Sequence, residues 1–162
     1  MDQESQFHHY DKPMTTSQVL CDGWLYGVML AALPLSFALV LFIEPASGPI
    51  ELTPLSLLSF LIIFPVIEEL AFRGLIQGLL LSRTVGRWRI GTVSVANLIT
   101  TVLFACAHFP RGGWLLACGV VAPSLLLGLF RERHGRLLSP ILLHIFFNLA
   151  MLAALAWHYG SA

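Results

Sequence analysis

The sequence predicts an all-α protein, a polytopic membrane helix bundle of about five transmembrane helices. Of its 162 residues, 57% are hydrophobic and only 11% are charged, whereas soluble domains carry about 25% charged residues. The mean hydropathy is +0.80, and the apolar residues collect into runs of the ~20 residues that a helix needs to cross a bilayer. The net charge is zero, so no basic surface indicates a nucleic-acid partner. We therefore expect one domain whose partner is the lipid bilayer and not nucleic acid.

Five apolar runs account for the five expected helices. A polar N-terminal tail is expected over residues 1–23, where acidic side chains outnumber the single lysine. The first transmembrane helix is expected over residues 24–43, with Pro34 inside it, which membrane helices tolerate. Loops of Pro, Gly and charged residues separate the later runs. These runs form an expected core over residues 55–157 and cover residues 55–81, 90–109, 114–130 and 137–157.

The loops between the runs are charged asymmetrically. With five crossings, the tail, the 82–89 loop and the 131–136 loop lie on one side of the membrane and hold seven of the Lys and Arg side chains. The opposite side holds only Arg111. Because cytoplasmic loops are enriched in Lys and Arg, this asymmetry predicts an integral membrane protein with a cytoplasmic N-terminus and an external C-terminus.

The three cysteines, Cys21, Cys106 and Cys118, form no CxxC pair. Cysteines in an odd, scattered set more often fill apolar space than bind metal or form disulfides. We therefore expect these three side chains to be buried and to hold no metal.

Three charged side chains lie inside the second apolar run. Glu68, Glu69 and Arg73 would each cost roughly 2.5–3.5 kcal/mol at the bilayer centre, so they are candidates for function. Glu69 and Arg73 are four residues apart, share a helix face and are expected to form an ion pair. A structural ion pair explains Arg73 and one carboxylate, but it leaves Glu68 without a partner on its own helix. An unpaired carboxylate in a low-dielectric site is suited to act as a general base.

Further polar side chains occur inside the third and fifth runs. His108 ends the third run, and His144 and Asn148 lie four residues apart in the fifth. Each alone could simply join two helices by a hydrogen bond. Because lipid cannot solvate them, we expect them to gather with the carboxylates around one water-accessible cavity. On straight helices His108 and His144 would lie near opposite faces, so a helix must break near Pro65, extend past Pro110 or tilt.

Such a cluster suits peptide-bond hydrolysis without a covalent nucleophile. Glutamate and histidine can activate water, and histidine and asparagine donors can hold the oxyanion that forms when an amide is attacked. The HExxH motif of zincins and the GxSxG motif of serine hydrolases are both missing from the sequence,. Every aspartate precedes the first run, which excludes an aspartyl intramembrane protease.

Three other functions stay open on the residues alone. A zinc-dependent membrane hydrolase could bind its metal through His108, His144 and Glu68. A catalytically silent immunity or binding protein could keep the fold without turnover. A small proton-coupled transporter could use the same groups as a proton relay.

Three motifs occur in a fixed order along the expected core. Residues 68–74 read EELAFRG and resemble the EExxxR motif of the CPBP family, also called the Abi or type II CAAX-protease family. Residues 104–108 read FACAH and resemble the family's FxxxH motif, and residues 144–148 read HIFFN and resemble its HxxxN motif. The resemblance covers residues 55–157, and the ordered set is more specific than any single motif.

This resemblance implies a glutamic-type intramembrane endopeptidase that needs no cofactor, with zinc as the alternative. The catalytic residues that it implies are a water-activating pair and an oxyanion-binding pair, namely Glu68 with His108 and His144 with Asn148. The supporting residues that it implies are Glu69, Arg73 and Phe104. Small bacterial relatives serve in self-immunity to bacteriocins or trim membrane-anchored sorting tails. The implied substrate is therefore a membrane-anchored protein or peptide, and the implied location is the bacterial inner membrane.

Overall fold

The computed structural model describes residues 13–41 and 53–160, which form an all-α bundle with one short β-hairpin. The hairpin consists of two antiparallel strands, β1 (Arg89–Ile90) and β2 (Val93–Ser94). The helices are α1 (Thr16–Leu20), α2 (Gly23–Val40), α3 (Pro54–Leu81), α4 (Thr84–Arg87), α5 (Val95–Gly119), α6 (Val121–His134) and α7 (Leu138–Gly160). The predicted all-α membrane bundle is confirmed. Most of the predicted tail, the end of the first predicted span and the loop before α3 lie outside the described residues.

The number of candidate membrane spans differs from the five that the sequence predicted. Three of the described helices, α2, α3 and α7, are long and apolar enough to cross a membrane. The pair α5 and α6, which is bent by 75°, makes a fourth if it counts as one span. The start of the third predicted run belongs to the β-hairpin. Helix α6 has 14 residues, or about 21 Å of helix, which is shorter than the ~30 Å hydrocarbon core.

Side-chain caps determine where the long helices begin. Asp22 accepts a hydrogen bond from the first turn of α2, Thr53 from the first turn of α3 and Ser94 from the first turn of α5. Gly135 ends α6 with a φ of +65°, a left-handed conformation that suits glycine,. Backbone N–H groups that lipid could not solvate thus find partners close by in the sequence.

Helix α3 is continuous through Pro65 but is not a regular α-helix. Ser59–Ile63 and Leu70–Ile76 are π-helical, and they flank the α-helical segment Phe64–Glu69. Of the three ways to bring the polar groups together, a break at Pro65 is therefore not the one used. Both glutamates end the α-helical segment, directly before the second π segment, and π segments often occur at functional sites.

Charged contacts gather at one end of the bundle. Asp22 at the start of α2 accepts hydrogen bonds from Arg133 (2.7 Å) and His134 (2.9 Å) at the end of α6. Arg89 in the hairpin pairs with Glu132, also near the end of α6. The start of α2, the hairpin and the end of α6 thus lie on the same side, as the charge asymmetry requires. The cytoplasmic location of that side stays a prediction.

Few apolar side chains form a protein core. The core cluster joins α2, α6 and α7 through Leu25, Leu127, Phe130 and Leu143. Many other large apolar side chains are exposed at the outer surface, which is the pattern expected where lipid rather than water surrounds the helices. Helices α3 and α5 therefore depend on polar contacts for much of their packing.

The expectation that the cysteines are buried is wrong. Cys21, Cys106 and Cys118 are all exposed free thiols. A thiol behaves as a small hydrophobe, and an outward-facing position in a lipid-embedded helix needs no protein core around it. The rule that buries cysteine in water-soluble proteins does not carry over to such positions.

Buried polar side chains join α3, α5 and α6 over several turns. Gln77 Nε2 donates to Glu132 Oε1 at 2.9 Å, and Ser124 Oγ donates to Thr101 Oγ1 at 3.0 Å. We call this array the polar seam, and its side chains are Arg73, Gln77, Ser94, Asn97, Thr101, Ser124 and Glu132. The seam leads from the charged end of the bundle to the carboxylates of α3.

Candidate active site

Three side chains from α5 and α7 surround the carboxylate of Glu68 on α3. Glu68 Oε1 lies 3.2 Å from Arg111 Nη1. Its other oxygen, Oε2, lies 3.9 Å from His108 Nε2 and 3.7 Å from His144 Nε2. The Glu68 side chain is 16% exposed and that of His108 is 12% exposed, so both can be reached from outside. We call these four residues the open cluster. Glu68, His108 and His144 lie together as expected, while their catalytic roles stay predictions.

The second ring nitrogen of each histidine determines which atoms face Glu68. His108 Nδ1 lies 2.8 Å from the carbonyl oxygen of Phe104, and His144 Nδ1 lies 2.8 Å from Glu69 Oε1. A carbonyl oxygen and a carboxylate can only accept, so each Nδ1 carries the hydrogen. In the neutral rings both Nε2 atoms therefore present lone pairs toward Glu68 Oε2.

Gaps of 3.7 and 3.9 Å between these atoms are too long for direct hydrogen bonds,. Polar gaps of this size are commonly bridged by one water molecule. Because Glu68 Oε2 and the two Nε2 atoms are all acceptors, a bridging molecule has to supply the hydrogens. The open cluster is thus chemically suited to hold and polarise water.

Glu69, one residue along α3, has a different environment. Its Oε1 accepts from Arg73 Nη1 at 3.1 Å and from His144 Nδ1 at 2.8 Å, and the side chains of Glu69 and Arg73 are fully buried. Arg73 Nη2 donates in turn to the Oγ and the carbonyl oxygen of Ser124. The predicted Glu69–Arg73 ion pair is present, and it joins His144 to the polar seam.

Phe104 packs against members of both carboxylate environments. Its ring centroid lies 4.3 Å from that of His108 and 5.9 Å from that of His144. The guanidinium carbon of Arg73 lies 4.5 Å from the same centroid, a distance at which a cation is attracted to the ring face. The Phe104 side chain is buried and restricts the orientations open to both imidazoles.

Asn148 lies on α7, one turn beyond His144, and contacts a different part of α3. Its Nδ2 donates to the carbonyl oxygen of Phe60 at 2.9 Å. Phe60 belongs to the first π-helical segment, where carbonyl groups are displaced from the regular helical pattern. In this structure one amide hydrogen of Asn148 is therefore occupied by the backbone, and its oxyanion-binding role stays a prediction.

Helix α5 reaches the cluster because it continues past Pro110. The helix begins at Val95, later than the predicted start at residue 90, and Pro110 lies inside it. Non-helical backbone follows only at Gly112 and Gly113, where Gly113 has a φ of +60°. The helix thus starts five residues later and its regular part ends two residues later than predicted, and His108 lies opposite Glu68. Extension past Pro110 is thus one of the ways anticipated to bring these groups together, and it is present in the structure.

Arg111 is a site residue that the sequence interpretation missed. The charge count placed it in an external loop, whereas it pairs with Glu68, the carboxylate that was expected to lack a partner. The described contacts of Glu68 all come from other helices, as expected, but the further expectation that it is unpaired is wrong, because Arg111 on α5 binds it. The available signal was the spacing from His108 to Arg111, which places both on one face if the helix does not stop at Pro110.

The polar seam was also missed, although its spacing is visible in the sequence. On α3, Glu69, Arg73 and Gln77 are spaced four residues apart. On α6, Ser124 and Glu132 are eight residues apart, which is twice that spacing. Such spacing places side chains on one face of a helix. Glutamine, serine and threonine are ordinary in membrane helices, where they join neighbouring helices, so they do not by themselves indicate a site.

The donor types around Glu68 are those of a two-histidine, one-carboxylate zinc site. In the described part of the chain, however, no group of three or more His, Cys, Asp or Glu side chains is arranged to hold a metal ion. Arg111, a cation, also occupies one oxygen of the carboxylate that would serve as ligand. The residues as arranged here therefore do not fit a bound zinc ion.

Comparison with known proteins identifies the family. The family model for Type II CAAX prenyl endopeptidase Rce1-like proteins matches residues 50–150. An Escherichia coli relative, "Uncharacterized 24.3 kDa protein", is 33% identical over 132 residues, which cover 75% of this chain and 58% of the relative. The chain thus matches little more than half the length of that relative. No solved structure matches. Since the matched region is more than half of the sequence and contains every residue of the open cluster, the chain belongs to the Type II CAAX prenyl endopeptidase Rce1-like family.

Proposed function

We propose that this protein is an intramembrane endopeptidase that hydrolyses a peptide bond of a membrane-associated protein or peptide. Glu68 acts as the general base. The observation that carries this proposal is the arrangement of Glu68 Oε2 opposite the Nε2 atoms of His108 and His144, at distances that one water molecule can bridge. Membership of the family supports peptidase chemistry in general, and the open cluster supplies groups for it.

The proposed reaction begins with water held between Glu68 and the two imidazoles. The water oxygen attacks the carbonyl carbon of the scissile peptide bond, and one water proton passes to Glu68 Oε2. The carbonyl π electrons move to oxygen and form an oxyanion. When the tetrahedral intermediate collapses, the C–N bond breaks and the leaving nitrogen takes the proton from Glu68. A positioned general base of this kind contributes about 10²–10⁴-fold to the rate.

Glu69 and Arg73 support this reaction by holding His144. The Glu69 carboxylate keeps the hydrogen of His144 on Nδ1, which leaves Nε2 as the acceptor that faces the water. Arg73 neutralises Glu69 and connects it to Ser124 on α6. His144 thus has a fixed ring orientation, and Phe104 supplies the same restraint for His108 through its carbonyl oxygen and ring.

The test begins with cells that produce the wild-type chain, Glu68→Gln or the control Arg136→Gln, whose exposed side chain lies outside the site. Membrane proteins are compared for new chain ends. Ends that appear with the wild type and Arg136→Gln, but not with Glu68→Gln, identify the substrate. A synthetic peptide that spans the cleaved bond is then incubated with purified protein in detergent. Turnover by the wild type and its loss in Glu68→Gln are the expected results.

Two outcomes would contradict the proposal. Equal cleavage by Glu68→Gln and the wild type would show that Glu68 is not the general base. Identical chain ends in all three membranes would favour a silent immunity or binding protein. The metal alternative has its own control, because activity that a chelator abolishes and added zinc restores would assign the chemistry to a metallohydrolase.

A further inference from the structure

The proposed reaction needs a hydrogen-bond donor for the oxyanion, and few described side chains can supply one. In the neutral imidazoles of His108 and His144, Nδ1–H is already donated to Phe104 or Glu69, and Nε2 is an acceptor. Arg73 is fully buried and donates to Glu69 and Ser124. One amide hydrogen of Asn148 is donated to Phe60. Apart from the second amide hydrogen of Asn148, the site is therefore rich in acceptors and poor in available donors,.

Arg111 is different from these groups. A guanidinium has five N–H donors, and in the described residues only Nη1 of Arg111 has a hydrogen-bond partner, Glu68 Oε1 at 3.2 Å. The Arg111 side chain is 59% exposed, so the protein does not enclose its remaining donors. We propose that Arg111 is a further catalytic residue, whose guanidinium donates hydrogen bonds to the oxyanion of the tetrahedral intermediate. This inference rests on the proposed function.

The contact with Glu68 places the guanidinium beside the reacting atoms. Arg111 binds one oxygen of the carboxylate, and the other oxygen faces the water-binding gap. A carbonyl carbon attacked by that water lies next to the carboxylate, so its oxygen lies within reach of the free Arg111 donors. Charge-assisted donors of this type form shorter and stronger hydrogen bonds than neutral amides. The same side chain can thus hold the base and receive the developing charge.

The local backbone explains how a charged side chain reaches this position. Arg111 is the last residue of the regular part of α5, and the backbone departs from helical geometry at the next two residues, Gly112 and Gly113. The positive φ of Gly113 turns the chain away from the helix axis,. Arg111 consequently extends from a helix end beside Glu68 and is not enclosed by a following turn.

The reaction balances with Arg111 in this role. As the water oxygen bonds to the carbonyl carbon, the water proton moves to Glu68 and the carbonyl electron pair moves to oxygen. Arg111 donates hydrogen bonds to that oxygen without losing a proton. When the C–N bond breaks, the electron pair returns to form the new carboxyl group and Glu68 delivers its proton to the leaving nitrogen. The guanidinium is unchanged at the end.

The experiment uses the full chain in detergent with the cleaved peptide identified above. Arg111→Gln should lower kcat by about 10²–10³-fold and change KM by less than about threefold, because the oxyanion exists only after attack. The kcat of Arg111→Lys should be about tenfold higher than that of Arg111→Gln, because the lysine side chain keeps a charged donor group. Arg136→Gln is the control for removing an exposed arginine and should match the wild type.

Two inhibitors separate an oxyanion contact from a positioning role. One is the phosphinate isostere of the peptide, which carries a tetrahedral anion, and the other is its reduced-amide isostere, which carries none. Arg111→Gln should weaken the phosphinate by the same factor as kcat/KM and leave the reduced amide unchanged. A loss of kcat with unchanged phosphinate affinity would show that Arg111 only positions Glu68 and would overturn the inference.

Failure of this inference can be told apart from failure of the proposed function. If Arg111→Gln keeps wild-type kcat while Glu68→Gln is inactive, the peptidase proposal stands and the Arg111 inference is wrong. If the wild type cleaves no peptide that the membrane comparison identifies, both are wrong. Equal losses for Arg111→Gln and Arg136→Gln would also overturn the inference, because the effect would then belong to net charge.

Discussion

Glu68 and Glu69 are adjacent in the sequence and have opposite environments. Glu69 is fully buried, and its Oε1 binds both Arg73 and His144 at hydrogen-bond distance. Glu68 is partly exposed and has one partner at 3.2 Å, while its second oxygen faces two imidazoles across gaps of 3.7 and 3.9 Å. A carboxylate that is fully buried and held by two partners serves as structure. One that is held on a single side keeps an oxygen available for chemistry.

The same contrast separates the polar seam from the open cluster. Seam residues are buried and hydrogen-bonded across α3, α5 and α6, with Glu132 accepting from Gln77, Ser94 and Arg89. The open cluster has few direct contacts and reaches the surface. Buried polar networks of the first kind stabilise one arrangement of helices, and the open cluster depends on that arrangement for its geometry.

The largest expected effect tests the open side of the contrast. Glu68→Gln keeps the size and most contacts of the side chain but removes the base, so kcat should fall by about 10²–10⁴-fold. Thermal unfolding in detergent should stay close to that of the wild type. A variant that unfolds early would show that Glu68 is structural, as Glu69 is, and the contrast would be lost.

The second effect tests the buried side of the contrast. Arg73→Met leaves Glu69 buried without its cation, which should cost ~3–5 kcal/mol of stability, measured by reversible denaturation or by yield of folded protein. Arg133→Gln removes an exposed arginine from an ion pair with Asp22 and is the matched control, with an expected cost under about 1 kcal/mol. Similar losses in both variants would mean that burial does not distinguish these pairs.

The third effect sharpens the description of the seam. A Cβ atom at Gly128 would lie 2.0 Å from Asn97 Oδ1, so Gly128→Ala should push α5 and α6 apart and cost about 1–3 kcal/mol. Gly27→Ala on α2 is the control, because nothing lies within 4 Å of the added methyl group. The free energy of unfolding of purified Gly128→Ala should be lower than that of Gly27→Ala. Equal values would show that α5 and α6 can separate without an energetic cost.

The smallest effect concerns the charged end of the bundle, away from both carboxylates. Partial burial raises the pKa of Asp22, but hydrogen bonds from Arg133, His134 and the Trp24 N–H outweigh this and lower its pKa to about 2. A lowered pKa contributes stability above the unfolded value of about 4, and that contribution disappears as the pH falls toward 2.

Wild type and Asp22→Asn should therefore differ in unfolding temperature by a constant amount above pH 5. The difference should shrink as the pH falls from 4 to 2, because the carboxyl of Asp22 takes up a proton in the unfolded chain before it does so in the folded protein. Arg136→Gln should show no such trend. A difference that persists unchanged at pH 2 would assign the effect of Asp22 to its cap on α2 and not to its charge.

Several features of this fold follow directly from the sequence. Apolar runs identified the candidate membrane helices α2, α3 and α7, and the spacing of Glu69 and Arg73 predicted their ion pair. The grouping of cationic loops anticipated that the start of α2, the hairpin and the end of α6 lie together. These features depend on one element each, or on the bilayer, and for that reason local patterns are sufficient to predict them.

Other features depend on contacts between elements. Arg111 pairs with Glu68 only because α5 continues through Pro110, and proline is a weak stop signal in a membrane helix. The position of Asn148 depends on a π-helical segment around Phe60, which no sequence period reveals. The number of spans also depended on a tertiary feature, the bend between α5 and α6.

The exposed thiols of this protein provide natural chemical markers of its orientation. Cys21 immediately precedes Asp22 at the charged end, whereas Cys106 and Cys118 lie within α5. A maleimide that cannot cross the membrane, added to intact cells, should leave Cys21 unmodified if the charged end faces the cytoplasm. After the cells are broken open, Cys21 should react. The native sequence therefore allows its topology to be read without an engineered reporter.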